Sequence, residues 1–184
     1  MHQLNLLSNP HLIKTLLFIS IFCHPLFMEN NLLIADEIAQ IPEIDYEADY
    51  VLELQRQGAL AVNQLIESYI KTGQVLDTQL IALVLVRFKD LQVRDYAMGV
   101  ATAQNQDQLF NLWYWLLNTA PSGYIAPVAC IFAACAYESA EGAMAQSALD
   151  LAIKDCPNYP LALLLRRVFR ASWPSSSFAA MRVE

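Results

Sequence analysis

The residue pair with the clearest potential for chemistry is Arg94–Asp95. Arg94 follows Asp90 by four residues, the spacing at which opposite charges on one helix form an ion pair. An arginine held in this way would be ready to bind an anionic ligand or the carboxylate of a partner. The competing interpretation is that Asp90 or Asp95 helps to start a helix over residues 92–104 and the arginine only braces the neighbouring turn. The second interpretation is favoured, because it needs no ligand.

Three consecutive aromatic residues, Trp113, Tyr114 and Trp115, are the second feature of interest. Consecutive side chains on a helix point in three directions, so at least one of these is expected near the surface. An exposed Trp115 would indicate an interaction site, whereas a half-buried residue at the rim of the core is the commoner outcome. Arg94, Asp95 and Trp115 are therefore predicted as ligand- or partner-binding residues.

The histidines restrict the chemistry open to the chain. All three (His2, His11 and His24) lie in the first 28 residues, so residues 29–184 contain no imidazole for proton transfer or metal binding. Serine or cysteine nucleophiles activated by histidine are thereby excluded from that part. The five glycines are scattered singly and form no phosphate-binding loop. We predict no catalytic residue, no cofactor and no metal site.

The four cysteines (Cys23, Cys130, Cys135 and Cys156) show no framework spacing. Cys130 and Cys135 are five residues apart, which on a helix places them about 140° around the axis and aims them poorly at one metal ion. Both lie in an alanine-rich apolar run, where cysteine packs as a small hydrophobic side chain. A reducing, cytoplasmic setting is the simpler expectation.

The charges are unevenly distributed along the 184 residues, whose formal net charge is -7. Eight acidic residues and no basic residue lie between Glu29 and Glu53, whereas the one basic cluster is Arg166, Arg167 and Arg170 on a late predicted helix. Nucleic-acid binding usually requires a basic face. A nucleic-acid partner is not expected.

The first 28 residues are the hardest to interpret. The apolar run from Thr15 to Cys23 is far shorter than the roughly 20 residues of a spanning helix, and His24–Pro25 follows at once. A mis-called extension ahead of a true start at Met28, a signal-like anchor and a packed helix all stay open, with a slight preference for the first. Membrane attachment or export is expected only if residues 1–27 provide it.

Apolar periodicity and helix-breaking residues predict an all-α fold without a sheet. A helix within residues 46–71 ends near Gly73, and Asp77 or Thr78 caps the next, over residues 80–88. That run is apolar nearly all round, and helix is preferred because no second alternating run exists to pair with a strand. Further helices are predicted at residues 30–39, 92–104, 107–118, 125–138, 141–154 and 161–172. The short connections imply antiparallel neighbours in a stack of helix pairs.

Residues 126–159 resemble one tetratricopeptide unit, in which small and large side chains interlock two helices. The residues that carry this likeness are Phe132, Ala133, Ala145, Leu149, Ala152 and Pro157. Over roughly residues 58–174 a longer ordered series of motifs resembles the end of the mostly actinobacterial domain-of-unknown-function family DUF4192. The series is Val93-Arg-Asp95, Leu112-Trp113, Pro121, Pro127, Glu141-Gly-Ala-Met-Ala145, Ala148-Leu149, Asp155-Cys-Pro-Asn-Tyr159 and Leu161-Ala-Leu-Leu164.

The resemblance implies a fold but no activity, since the family brings no assigned cofactor or catalytic residue. Its typical members carry a longer α/β portion ahead of the helical part, and no such portion is found upstream of Gly58, which implies a truncated, split or decayed member. The expected organisation is a leader or mis-called extension (1–28), an acidic lead-in region (29–57), a helical domain (58–174) and a loose tail (175–184).

Two hypotheses for function follow from these observations. The first is a non-catalytic interaction or scaffolding domain with a protein partner, because a tetratricopeptide-like stack of helices, an α-solenoid, buries its own core and presents a broad surface. The second is the helical half of an enzyme or ligand-binding protein whose missing α/β portion held the site. An adjacent coding frame that supplies such a portion would favour the second.

Overall fold

The computed structural model describes residues 25–47 and 49–174, with side chains from residue 32 onward, and this part forms eight α-helices and no strand. The helices are α1 (Pro25–Gln40), α2 (Val51–Thr72), α3 (Thr78–Arg87), α4 (Leu91–Gly99), α5 (Gln106–Thr119), α6 (Ile125–Glu138), α7 (Gly142–Asp155) and α8 (Pro160–Arg170). The predicted all-α class is confirmed. The interpretations of residues 1–24 and of the tail after residue 174 lie outside the described residues.

Two predicted helix ends are confirmed in atomic detail. Gly73 ends α2 with φ of 75°, and its N–H donates to the Tyr69 carbonyl at 2.7 Å. This left-handed conformation is one that glycine adopts without a steric penalty. At the start of α3 the Asp77 carboxylate accepts the Leu80 N–H at 3.0 Å. Sequence signals for caps therefore hold at this turn, because their chemistry is local.

The predicted extent of α4, residues 92–104, was wrong at its C-terminal end. The helix ends at Gly99, and Asn105 organises the turn that follows. The Asn105 side chain donates to the Val100 carbonyl at 3.1 Å and accepts the Thr102 N–H at 2.6 Å. These side-chain bonds satisfy backbone groups that a longer helix would have paired, so the turn competes successfully with the helix.

The pair α6 and α7 forms the most closely packed part of the domain. Ala129, Ala133 and Ala136 of α6 are fully buried, as are Ala145 and Ala152 of α7. Side chains this small allow two helices to approach closely. The larger residues of the tetratricopeptide-like pattern, Phe132 and Leu149, are buried with them, whereas Pro157 is exposed in the turn that follows α7.

The principal helix contacts connect elements that are near one another in the chain. α3 packs on α1 and α2, α2 also contacts α4 and α5, and α6 contacts α4, α5, α7 and α8, while α7 also contacts α8. Such an order of contacts is typical of a stacked helical array. None of the described helices is both long and apolar enough to cross a bilayer.

Candidate interaction surface

Arg94 lies inside the domain, where it connects α4 to the start of α8. Its Nε and Nη2 both donate to Asp95 Oδ1, at 2.9 and 2.7 Å, and its Nη1 donates to the Tyr159 hydroxyl at 3.1 Å. Only 8% of the Arg94 side chain is exposed, against 61% for Asp95. Burial by itself would lower the pKa of Arg94, but the bonds to Tyr159 and Asp95 outweigh it and raise the pKa. The guanidinium is therefore held as a charged bridge between two helices.

Asp90 serves as the N-cap of α4, as one of the two interpretations of this region predicted. Its Oδ1 accepts the Val93 N–H at 3.0 Å, and its Oδ2 accepts hydrogen bonds from Tyr46 and Gln55 at 2.9 and 3.0 Å. The expected Asp90–Arg94 ion pair was wrong, because Arg94 pairs with Asp95 instead. Burial alone would raise the pKa of Asp90, but the bonds from Gln55, Val93 and Tyr46 lower it.

Residues 42–46, which we call the lead-in segment, are fastened to the junction between α3 and α4. Arg87 donates from Nη1 to the Pro42 carbonyl at 2.7 Å, and Lys89 pairs with Glu43 while lying 4.4 Å from the Tyr124 ring centroid. Arg87 is only 4% exposed, and its Nε has no hydrogen-bond partner among the described residues. Burial lowers the pKa of this guanidinium. The lead-in segment is therefore part of the folded domain and is held at the junction between α3 and α4.

Asp155, the last residue of α7, holds the start of α6. Its two carboxylate oxygens accept the Gly123 N–H at 2.7 Å and the Ala126 N–H at 3.0 Å. A carboxylate at a helix N-terminus satisfies unpaired N–H groups and interacts favourably with the helix dipole. Four residues later, Tyr159 receives the Arg94 hydrogen bond. The motif Asp155-Cys-Pro-Asn-Tyr159 therefore has a structural role at both ends.

The exposed side of α8 combines apolar and basic side chains. Leu164 is 55% exposed and Trp173, three residues beyond the helix, is 52% exposed. Arg167 and Arg170, which lie between these two residues in the sequence, are exposed as well. Neither arginine forms an ion pair with another described residue. We call these four residues the α8 surface.

Neighbouring contacts hold the α8 surface in place. Arg166 pairs with Asp150 of α7, and the Trp173 carbonyl accepts a hydrogen bond from the Tyr137 hydroxyl at 2.6 Å. The Tyr137 ring in turn stacks on Phe169 with 4.1 Å between centroids. The backbone that carries Trp173 is therefore anchored to α6, although the indole faces solvent.

A surface of opposite charge precedes and begins α2. Glu47, Asp49, Tyr50 and Leu52 are all exposed, and Leu52 at 79% is the most exposed large apolar side chain among the described residues. No basic residue lies in the sequence between Glu29 and Glu53. Arg56, the first basic residue after this stretch, pairs with Glu53. We call Glu47, Asp49, Tyr50 and Leu52 the acidic patch.

A family described as a domain of unknown function, DUF4192, matches residues 35–175. The chain belongs to this family. No curated protein and no solved structure matches it. The DUF4192 match starts well before Gly58, where the resemblance in the sequence began, and so includes the last six residues of α1 and the lead-in segment. That extent agrees with the hydrogen bond that Arg87 donates to Pro42 and the one that Asp90 accepts from Tyr46, both of which hold the segment to the domain.

The two tryptophans of α5 occupy different environments in this DUF4192 domain. Trp113 is buried and meets Phe88 edge-on at 6.1 Å, whereas Trp115 is half-buried with its ring 5.7 Å from that of Tyr69. No hydrogen bond, ion pair or ring contact among the described residues joins Trp115 to Arg94 or Asp95. The predicted binding residues thus lie in two separate groups, Arg94 with Asp95 and Trp115 by itself. Their role in binding stays a prediction.

Cys130 and Cys135 of the DUF4192 domain fit the packing interpretation, whereas Cys156 is exposed. Cys130 and Cys135 are buried in α6, and burial raises the pKa of the Cys130 thiol to about 12 even though Arg94 opposes the shift. A thiol with so high a pKa is a poor nucleophile at neutral pH. No group of three histidine, cysteine or acidic side chains in the described part of the chain is arranged to hold a metal ion.

Sequence reasoning missed the roles of Asp155, Tyr159 and Trp173. The first two stand at the ends of the motif Asp155-Cys-Pro-Asn-Tyr159, and no local signal indicated that Asp155 caps α6, because it lies 29 residues after the Ala126 N–H that it accepts. Trp173 stood in a region predicted to end the helical domain, and only the folded chain shows that its side chain is exposed.

Proposed function

We propose that this DUF4192 domain is a non-catalytic helical interaction domain that binds a protein partner through the α8 surface. The observation that carries the proposal is the exposure of Leu164 and Trp173 together with Arg167 and Arg170 on one helix and the turn after it. Such a surface fits a partner that presents carboxylates beside apolar side chains. The proposal includes a cytoplasmic location.

The composition of the surface supports this role. Tryptophan and arginine are enriched among the residues that contribute most to protein interfaces, because both bury a large area and offer directed hydrogen bonds. Exposed arginines also steer an acidic partner during encounter and penalise a basic one. Since contacts from Asp150 and Tyr137 already order the neighbourhood, less conformational entropy would be lost on binding.

The buried charges support a non-catalytic role as well. Arg94 bonds to Asp95 and Tyr159, and Asp90 bonds to Val93, Tyr46 and Gln55, so each joins parts of the chain to one another. A group used in this way stabilises the fold, and the proposal assigns no ligand to it.

The test is site-specific photo-crosslinking in the native cell. A photoreactive amino acid replaces Leu164 in one variant and Leu60 in the control; Leu60 is a leucine of α2 with 46% exposure. We expect protein adducts from position 164 that are absent from position 60 and are lost when R167E/R170E is added. Equal adduct patterns at the two positions would overturn the proposed surface.

A further inference from the structure

We infer that the partner of the α8 surface is the acidic patch of a second copy of this chain. This inference rests on the proposed function, because it names the occupant of the same surface. The two surfaces agree in charge, in apolar content and in accessibility, and each agreement comes from described residues.

The charges are complementary. The acidic patch presents Glu47 and Asp49 in a stretch without a basic residue, whereas α8 contains three arginines and no acidic residue. Of those arginines, Arg167 and Arg170 form no ion pair with another described residue. An interface that joins the two surfaces would pair carboxylates with guanidinium groups, which hydrogen-bond in a planar, two-pronged geometry.

The apolar residues are complementary too. Leu52 and Tyr50 are 79% and 59% exposed beside the carboxylates, and Leu164 and Trp173 are 55% and 52% exposed beside the arginines. Single exposed apolar side chains are common on protein surfaces. Here, however, large apolar side chains accompany each charged set, so bringing the sets together would remove apolar area from water as well as pair charges.

The packing of the helices makes the contact intermolecular. The principal contacts of α2 are with α3, α4 and α5, whereas those of α8 are with α6 and α7. The side chains of both surfaces are exposed within the described chain, so neither surface covers the other in the same molecule. A second copy brings an acidic patch to the α8 surface without any change of fold.

Two physical properties follow from such a contact. It joins two different surfaces, so after one contact forms, each copy still has one surface free to bind a further copy. Growth stops only if the copies close into a ring or a two-fold pair. Because exposed charges contribute to it, added salt should weaken it, since the screening length falls to about 10 Å at 0.1 M ionic strength.

The experiment measures self-association of the purified full chain by sedimentation velocity over a range of protein and salt concentrations. Two variants reverse one surface each, R167E/R170E at α8 and E47K/D49K at the acidic patch. We expect wild type to associate more weakly as salt is added, and each variant alone to lose at least tenfold in association constant. Lys71→Glu reverses one exposed charge on α2 outside both surfaces, so it is the control for a charge reversal elsewhere and should associate like wild type.

The decisive measurement is the equimolar mixture of the two variants. In the mixture the reversed α8 surface of one chain meets the reversed patch of the other, and the two remaining native surfaces also meet, so association should return to within a few-fold of wild type. Recovery would also show that both variants are folded. A wild-type chain that stays monomeric at low salt, or a mixture that stays monomeric, would overturn the inference.

The crosslinking experiment separates this inference from the proposed function. An adduct from position 164 to residues near Leu52 of a second copy supports both. An adduct to a different protein, together with a monomeric purified chain, retains the interaction domain and overturns self-association. Equal adducts at positions 164 and 60, with a monomeric chain, overturn both.

Discussion

The hydroxyl of Tyr46 donates a hydrogen bond to Asp90 Oδ2 at 2.9 Å and so joins the lead-in segment to the cap of α4. The two residues are 44 positions apart in the chain. Burial and the nearby Asp90 carboxylate raise the pKa of Tyr46 to about 12, although most of its surface faces solvent. The lead-in segment is therefore attached to the domain by specific polar contacts.

Replacement of Tyr46 by phenylalanine tests this attachment. Tyr46→Phe keeps the ring and removes the donor, so we expect a loss of about 1 kcal/mol in the free energy of unfolding, measured by urea titration. Tyr50→Phe is the matched control, because the Tyr50 hydroxyl forms no hydrogen bond with another described residue. Equal stability of the two variants would show that the lead-in segment does not depend on this bond.

The pH dependence of stability tests the charge on Asp90. Its hydrogen bonds lower its pKa in the folded state, so its contribution is fully present above the unfolded value of about 4 and is lost as the pH falls through the folded value. Asp90→Asn retains a good N-cap residue but removes the charge. We expect the free energy of unfolding of wild type to exceed that of this variant by about 1–2 kcal/mol near neutral pH, with the difference narrowing as the pH falls below the unfolded value of about 4.

Asp77→Asn provides the comparison for that experiment. Asp77 caps α3 by accepting the single Leu80 N–H, whereas Asp90 also accepts from Tyr46 and Gln55. The difference between the two variants at neutral pH therefore measures the side-chain bonds to Asp90. A gap for Asp90→Asn that widens on acidification would contradict the assigned direction of its pKa shift.

The close approach of α2 to the start of α4 predicts the effect of a methyl group at Gly58. A Cβ there would lie 2.8 Å from Val93 Cγ2 and 3.2 Å from Arg87 Cβ. Because valine is stiff at χ1, Gly58→Ala should destabilise the domain by about 1–3 kcal/mol in thermal or urea unfolding, despite the higher helix propensity of alanine. Gly99→Ala, whose Cβ would meet nothing within 4 Å, should be neutral or stabilising by up to about 1 kcal/mol.

A second substitution makes the Gly58 prediction specific. Val93→Ala removes the two methyl groups nearest the new Cβ, so the double variant with Gly58→Ala should be more stable than the sum of the two single effects predicts. Additive single effects would mean that the Cβ is accommodated in another way.

The cap formed by Asp155 predicts a local and a global effect. Asp155→Ala removes the acceptor for the Gly123 and Ala126 N–H groups and should lower the free energy of unfolding by about 1–2 kcal/mol. Amide exchange at Ala126 should accelerate by more than at the middle of α6. Asp150→Ala, an exposed aspartate of the same helix that pairs with Arg166, should cost less than about 1 kcal/mol.

Most of the fold was predicted from sequence signals that act over a few residues. The left-handed glycine at position 73, the cap at Asp77 and the apolar run of α3 each act over a few residues, and the structure confirms all three. The end of α4 was wrong because the side chain of Asn105 organises a turn that the apolar pattern does not reveal. A helix boundary that depends on one polar side chain is easily displaced by several residues.

The candidate site was less predictable from the sequence than the fold. Arg94 and Asp95 do form a pair, but the partner of Arg94 expected one turn earlier, Asp90, is engaged by Tyr46 instead. Trp115 packs at the rim of the core, and the exposed tryptophan is Trp173. Exposure and long-range pairing depend on how the helices stack, and spacing along one helix does not contain that information.

The amino-acid sequence alone determined the helical class, most helix positions, the burial of Cys130 and Cys135 and membership of DUF4192, because periodicity, capping and motif order are written along the chain. Only the tertiary structure decided that the lead-in segment is bound to the α3–α4 junction, that Asp155 caps α6, and that Leu164 and Trp173 are exposed. The physical reason is that hydrogen bonds between distant residues and the exposure of side chains are set by helix packing. Packing brings together residues that are far apart in the chain.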